Sequence, residues 1–87
     1  MIVYIGGEKM ISSEDIVAVF DLQKGVEKEK AEDFLHRSEN KACVINLAEE
    51  KQKSMIVACE NGENRIYLSS VSVQTLFRRL EQRGSIG

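Results

Sequence analysis

The sequence is short of the side chains that carry most enzyme chemistry. It has one histidine, His36, and two cysteines, Cys43 and Cys59. A structural zinc site needs about four ligands at characteristic spacing. Here only His36 could join the two cysteines, so no metal site is expected. Both cysteines stand in apolar runs among Ala, Val and Ile, which reads as two small buried hydrophobes. A disulfide is not expected in a cytosolic chain with no other staple. Around His36 no nucleophile and orienting acid can be assembled in sequence. A cysteine–histidine pair lacks any neighbour that would lower a thiol pKa. The acid pairs Glu32-Asp33 and Glu49-Glu50 lie in solvated runs, without the apolar surroundings that raise a carboxyl pKa for acid catalysis. Phosphate-binding glycine motifs are absent. The expectation is a protein that is not an enzyme, with no cofactor and no small-molecule substrate.

Long apolar runs are missing too. None approaches the roughly 20 residues of a membrane span, so no membrane partner is expected. The start, Met1-Ile2-Val3-Tyr4, has neither a basic n-region nor a long h-region. It does not read as a signal peptide, and the cytoplasm is the expected compartment. Eighty-seven residues suit one domain, 1–87, with one thin core and little room for a deep pocket.

What is present is a regular alternation of elements. Ile2 to Ile5 reads as a strand. Gly6-Gly7 then turns the chain, both at positive φ, and Met10-Ile11 resumes the apolar pattern as a hairpin. Ser12 with Asp15 mimics a helix capping box. The five apolar residues Ile16 to Phe20 argue instead for a strand buried on both faces. Asp21 and Gly25 bracket its exit. Val26 to Glu39 is rich in Glu, Lys and Ala, with Ala31, Phe34 and Leu35 on one face and Val26 near the start. That is an amphipathic helix, with His36 on its solvated side. Lys41 to Leu47 and Ser54 to Glu60 read as strands joined by a charged connector. Asn61-Gly62 is a hairpin signal leading to Arg65–Ser69. A two-residue loop there sets Glu60 opposite Glu63, which is unfavourable and leaves a longer loop open. Val73, Leu76, Phe77 and Leu80 form one helical stripe. Ser70 or Ser72 can cap its start, and Gly84 suits its end. Ser85 to Gly87 read as a frayed tail. The expected fold is α+β: a mostly antiparallel sheet of short strands with two helices, in the order β-β-β-α-β-β-β-α. An uncovered face or edge at this size invites self-association.

Charge is unevenly spread. Residues 1–63 hold 8 basic and 13 acidic side chains, a net −5, and residues 64–87 hold 4 basic and 1 acidic, a net +3. The overall −2 argues against strong nonspecific nucleic-acid binding, while the local excess leaves a focused surface open. Arginine suits phosphate through its planar fork, and exposed connector lysines can reach a backbone phosphate. The candidate DNA contacts are therefore Lys51, Lys53, Arg65, Arg78, Arg79 and Arg83. Such contacts would track the DNA backbone with little base readout. The plain alternative for the late arginines is helix capping and solubility.

Several stretches carry a resemblance. Tyr4-Ile5-Gly6-Gly7 and Ile11-Ser12-Ser13-Glu14-Asp15-Ile16-Val17-Ala18-Val19-Phe20-Asp21 form the first block. Glu32-Asp33-Phe34-Leu35, Lys53-Ser54-Met55-Ile56-Val57 and Ile66-Tyr67-Leu68-Ser69 follow, then Thr75-Leu76 and Arg78-Arg79. In this order the chain resembles the RemB branch of the RemA/RemB family of bacterial biofilm-matrix regulators. The resemblance covers nearly the whole chain. It implies a cytosolic bacterial regulator of extracellular-matrix genes, and the RemA branch implies DNA-binding transcriptional activation by ring-shaped homo-oligomers. Two departures matter. RemA-like proteins carry an arginine-rich segment where this chain has Glu49-Glu50-Lys51-Gln52-Lys53, and an arginine where it has Asp15. Both remove positive charge. The oligomeric scaffold therefore carries over more directly than duplex-DNA binding. A protein-interaction module that never touches DNA is the second expectation.

Overall fold

The computed structural model describes residues 1–38 and 43–86, with side chains for 1–37 and 43–81. Its first element is the expected hairpin of β1 (Ile2–Gly6) and β2 (Lys9–Ser12), with Tyr4 opposite Met10 and Gly6 opposite Lys9. The turn is made by Gly7 and Glu8, at φ 53° and 65°. The left-handed conformation therefore falls on Glu8 as well as on the two glycines. Gly6, at φ 114°, faces a second constraint, because a Cβ there would lie 3.0 Å from Ser69 Oγ. Ser12 does cap, as its sequence suggested, but only a single 3-10 turn over Ser13–Asp15, accepting from the Glu14 amide at 3.4 Å.

Six further elements follow: β3 (Ile16–Asp21), α1 (Gly25–Ser38), β4 (Cys43–Asn46), β5 (Ser54–Glu60), β6 (Glu63–Ser69) and α2 (Val73–Ile86). Apart from the 3-10 turn, this is the expected order of strands and helices. The single sheet is not observed. The hairpin stands as its own two-stranded sheet, and the other strands form a second sheet in the order β3-β5-β6-β4. Here β5 is antiparallel to both neighbours, whereas β4 runs parallel to β6. β3 and β4 thus point the same way at opposite edges. Parallel strands need a crossover of a dozen or more residues, and α1 supplies it.

The larger sheet is covered on both faces. On one, Met55, Val57 and Ile66 pack with Ala31 of α1, flanked by Phe20, Phe34 and Leu35. On the other, Ile56, Ala58 and Tyr67 meet Val3, Ile5 and Ile11 of the hairpin and Leu76 of α2. Each fully buried aliphatic side chain contributes about 1.5–3 kcal/mol. The two-faced burial expected of β3 belongs to β5, whose residues Ser54–Ala58 are all buried. β3 is an edge strand. Its pairing shifts between Ile16 and Ala18, and Val17 is left 66% exposed. A bulge of this kind twists an edge away from further pairing.

Other expectations are corrected by the same packing. Val26 is exposed, because α1 buries Ala31 and not its first turn. Phe77 remains 48% exposed although it lies on the apolar stripe, since Leu76 alone of that stripe is fully buried. Cys43 is exposed and Cys59 only half-buried, both lying toward the end of the sheet that carries the β5–β6 turn. They stand two strands apart, about 10 Å, beyond the reach of a disulfide. α2 continues past Gly84 to Ile86. Its cap is Ser72, whose hydroxyl accepts from the Thr75 amide at 3.2 Å. Glu39 and Lys41, at the end of the expected helix and the start of the expected strand, lie outside the described residues, as does Gly87.

Candidate nucleic-acid interface

The β5–β6 loop is two residues, Asn61 and Gly62, at φ 52° and 81°, and Glu60 does face Glu63. No longer loop relieves the pair, because cations surround it. Arg65 lies 3.2 Å from Glu63 and 3.7 Å from Glu60, and Lys9 lies 3.6 Å from Glu60. The Tyr67 hydroxyl donates to Glu60 from the core side, and the Lys9 ammonium sits 5.6 Å from the Tyr67 ring centre. Burial and the bond to Glu60 push the Tyr67 phenol above its ordinary value of 10.0. Interaction with the Tyr67 oxygen, then with Glu63, raises the Arg65 pKa in turn. Arg65 is thereby committed to a local network in which each charge has a partner.

Arg79 is committed differently. Its Nη1 donates to the Tyr4 carbonyl at 2.7 Å, and its guanidinium lies 5.4 Å from the centre of the Tyr4 ring. It clamps α2 to β1 through a hydrogen bond and a cation–π contact. Sequence reasoning could count this arginine but could not see that a strand 75 residues away uses it.

Lys53 is half-buried. Its amide donates to the Ser69 carbonyl at 2.7 Å, and its carbonyl accepts from Leu22 at 3.0 Å. Lys51 is exposed beside Leu22, Ala31, Leu35, Met55 and Leu68, at the mouth of a groove of about 510 Å³. Arg78 is exposed on α2. Neither Lys51 nor Arg78 makes an ion pair among the described residues. Arg83 lies within α2, and its side chain is outside the described residues.

These residues do not converge on one spot. Lys53 leads into the end of β5 that pairs with Ser69, whereas Arg65 is four residues back along β6, about 13 Å at the usual strand rise. Arg78 and Arg79 belong to the opposite side of the sheet from α1 and the Lys51 groove. One subunit thus presents dispersed single cations, a pattern suited to spaced phosphates and unsuited to a compact anion pocket. His36 is exposed beside Glu32, Leu35 and Val44. Among the described residues no group of three or more His, Cys, Asp or Glu could hold a metal ion. Nor is any described helix long and apolar enough to cross a membrane.

Against known families, residues 2–80 match the family model described as RemA-like, "Extracellular matrix regulatory protein A-like". The match runs from the first strand well into α2. No curated protein matches the chain.

Proposed function

The chain belongs to the RemA-like family, and from that premise we propose a RemB-type, non-enzymatic regulator of extracellular-matrix genes. It works in the cytosol as a homo-oligomer and contacts the phosphate backbone of duplex DNA. The observation that carries this reading is the family match over residues 2–80. The dispersed cations support its form. Lys51 and Arg78 are exposed and uncommitted among the described residues, while Arg65 and Arg79 are tied to Glu60, Glu63 and Tyr4. A single subunit then offers few phosphate contacts, and repetition in an oligomer multiplies them. Gel shift with duplex DNA over a salt series tests this. The expected result is binding at low salt that weakens steeply as salt rises, and that weakens further in Lys51→Glu and Arg78→Glu. An intact oligomer that fails to shift DNA at low salt refutes DNA contact.

The second reading is an oligomeric interaction module that acts on a protein partner. It is favoured by the net −5 of residues 1–63 and by the engagement of Arg65 and Arg79 within the fold. Recovery of a regulatory protein in a nuclease-treated pull-down, without any DNA shift, would select it.

A further inference from the structure

The outer face of the β1–β2 hairpin is apolar and open apart from the Arg79 guanidinium, which rests on the Tyr4 ring. Ile2 is 62% exposed, Met10 59% and Tyr4 39%, and all three point away from the side that buries Val3, Ile5 and Ile11. Two-residue alternation puts the inward set in the core and leaves the outward set to something else. Beside Tyr4 this face runs into a groove of about 520 Å³ walled by Glu8, Glu49 and Glu50, with Gly7, Leu47 and Ser70. None of its lining residues is a cation.

A second apolar anchor lies elsewhere. Arg79 reaches Tyr4, so that flank of α2 faces the hairpin. Phe77 stands two residues earlier, about 200° round the helix. It therefore occupies the other flank, away from Tyr4. Phe77 is half-exposed and is followed by the exposed Arg78. Residues 64–87 hold four arginines against one acid, Glu81.

We propose that the Ile2–Tyr4–Met10 face of one copy takes the Phe77–Arg78 face of a second copy, head to tail. Charge selects the orientation. Hairpin against hairpin would bring two sets of three carboxylates together, whereas hairpin against α2 sets Arg78 near Glu8, Glu49 and Glu50. A contact between two different patches repeats from copy to copy and either closes into a ring or runs on as a filament. The inference rests on the homo-oligomer reading above and names its interface.

The test is the molar mass in solution by light scattering, over a concentration series. Met10→Glu or Ile2→Ser alters the first face. Phe77→Ser with Arg78→Glu alters the second. All four positions are exposed, and far-UV circular dichroism verifies folding. Each altered protein alone is expected to need about tenfold or more higher concentration to assemble. An equimolar mixture of Met10→Glu with the α2 variant keeps one good face of each kind, and is expected to give the mass of two chains and no more. Variants that keep the wild-type mass, or a mixture that stays at one chain, overturn the assignment of faces while leaving the oligomer reading intact. Wild-type protein at the mass of one chain throughout overturns both.

Discussion

Ser69→Ala is the substitution with the largest expected effect for the smallest change in shape. Ser69 is fully buried at the end of β6. Its hydroxyl donates to the Ile5 carbonyl at 2.6 Å and accepts from the Val71 amide at 2.9 Å. One oxygen thus ties the hairpin to the sheet and fixes the turn into α2. Alanine fits the space but leaves a buried carbonyl and a part-buried amide without this partner. A buried orphaned group costs about 1–3 kcal/mol and the part-buried amide falls at the low end of that range, so the loss is about 2–4 kcal/mol. For a domain of this size that lowers the midpoint of thermal unfolding by roughly 10–25 °C. Urea unfolding followed by circular dichroism at fixed protein concentration gives the energy directly, and an unchanged slope would place the effect in the native state. Ser54→Ala, which removes one bond to the Val71 carbonyl, should cost about half as much. A loss below about 1 kcal/mol for Ser69→Ala would refute the claim that this hydroxyl holds the two sheets together.

Arg79→Ala should lower stability by about 1 kcal/mol through loss of the clamp on Tyr4. Arg78→Ala should leave stability within about 0.5 kcal/mol of wild type, with any loss confined to assembly and DNA affinity; urea midpoints and gel shifts on both separate the structural role of Arg79 from the surface role of Arg78. Tyr67 should ionise above 10.0, seen as a late phase in the ultraviolet titration of a Tyr4→Phe protein. Well below 10.0 Tyr67 keeps its proton folded or unfolded, and its contribution is complete. As pH rises further the unfolded chain ionises first, so stability falls. A titration with its midpoint at or below 10.0 would contradict the buried bond to Glu60.

The turns and the apolar periods were legible because local chemistry decides them. Gly6-Gly7 and Asn61-Gly62 demand positive φ, and Leu76 marks the buried line of α2. What failed depended on neighbours distant in sequence. The runs Ile16–Phe20 and Met55–Ala58 look alike, yet only the second lies between two strands. Phe77 keeps the helical spacing of a core residue but stands on the flank of α2 away from Tyr4 and stays half-exposed. The Glu60–Glu63 pair looked unfavourable until Lys9 came in from β2. Among the candidate DNA contacts, residue type alone could not separate Arg78, open to solvent, from Arg79, spent on a backbone carbonyl.

The parallel placement of β4 bears on how the chain reaches its fold. β4 leaves the ribosome before β6, the strand it pairs with, and α1 cannot complete its crossover until the β5–β6 hairpin stands between the two edges. The closing of that late hairpin, with its two-residue turn, is therefore the step on which the order of assembly depends. The edge strands β3 and β4 must wait unpaired until then, with Phe20 and Val44 open to the wrong partners until synthesis is nearly done.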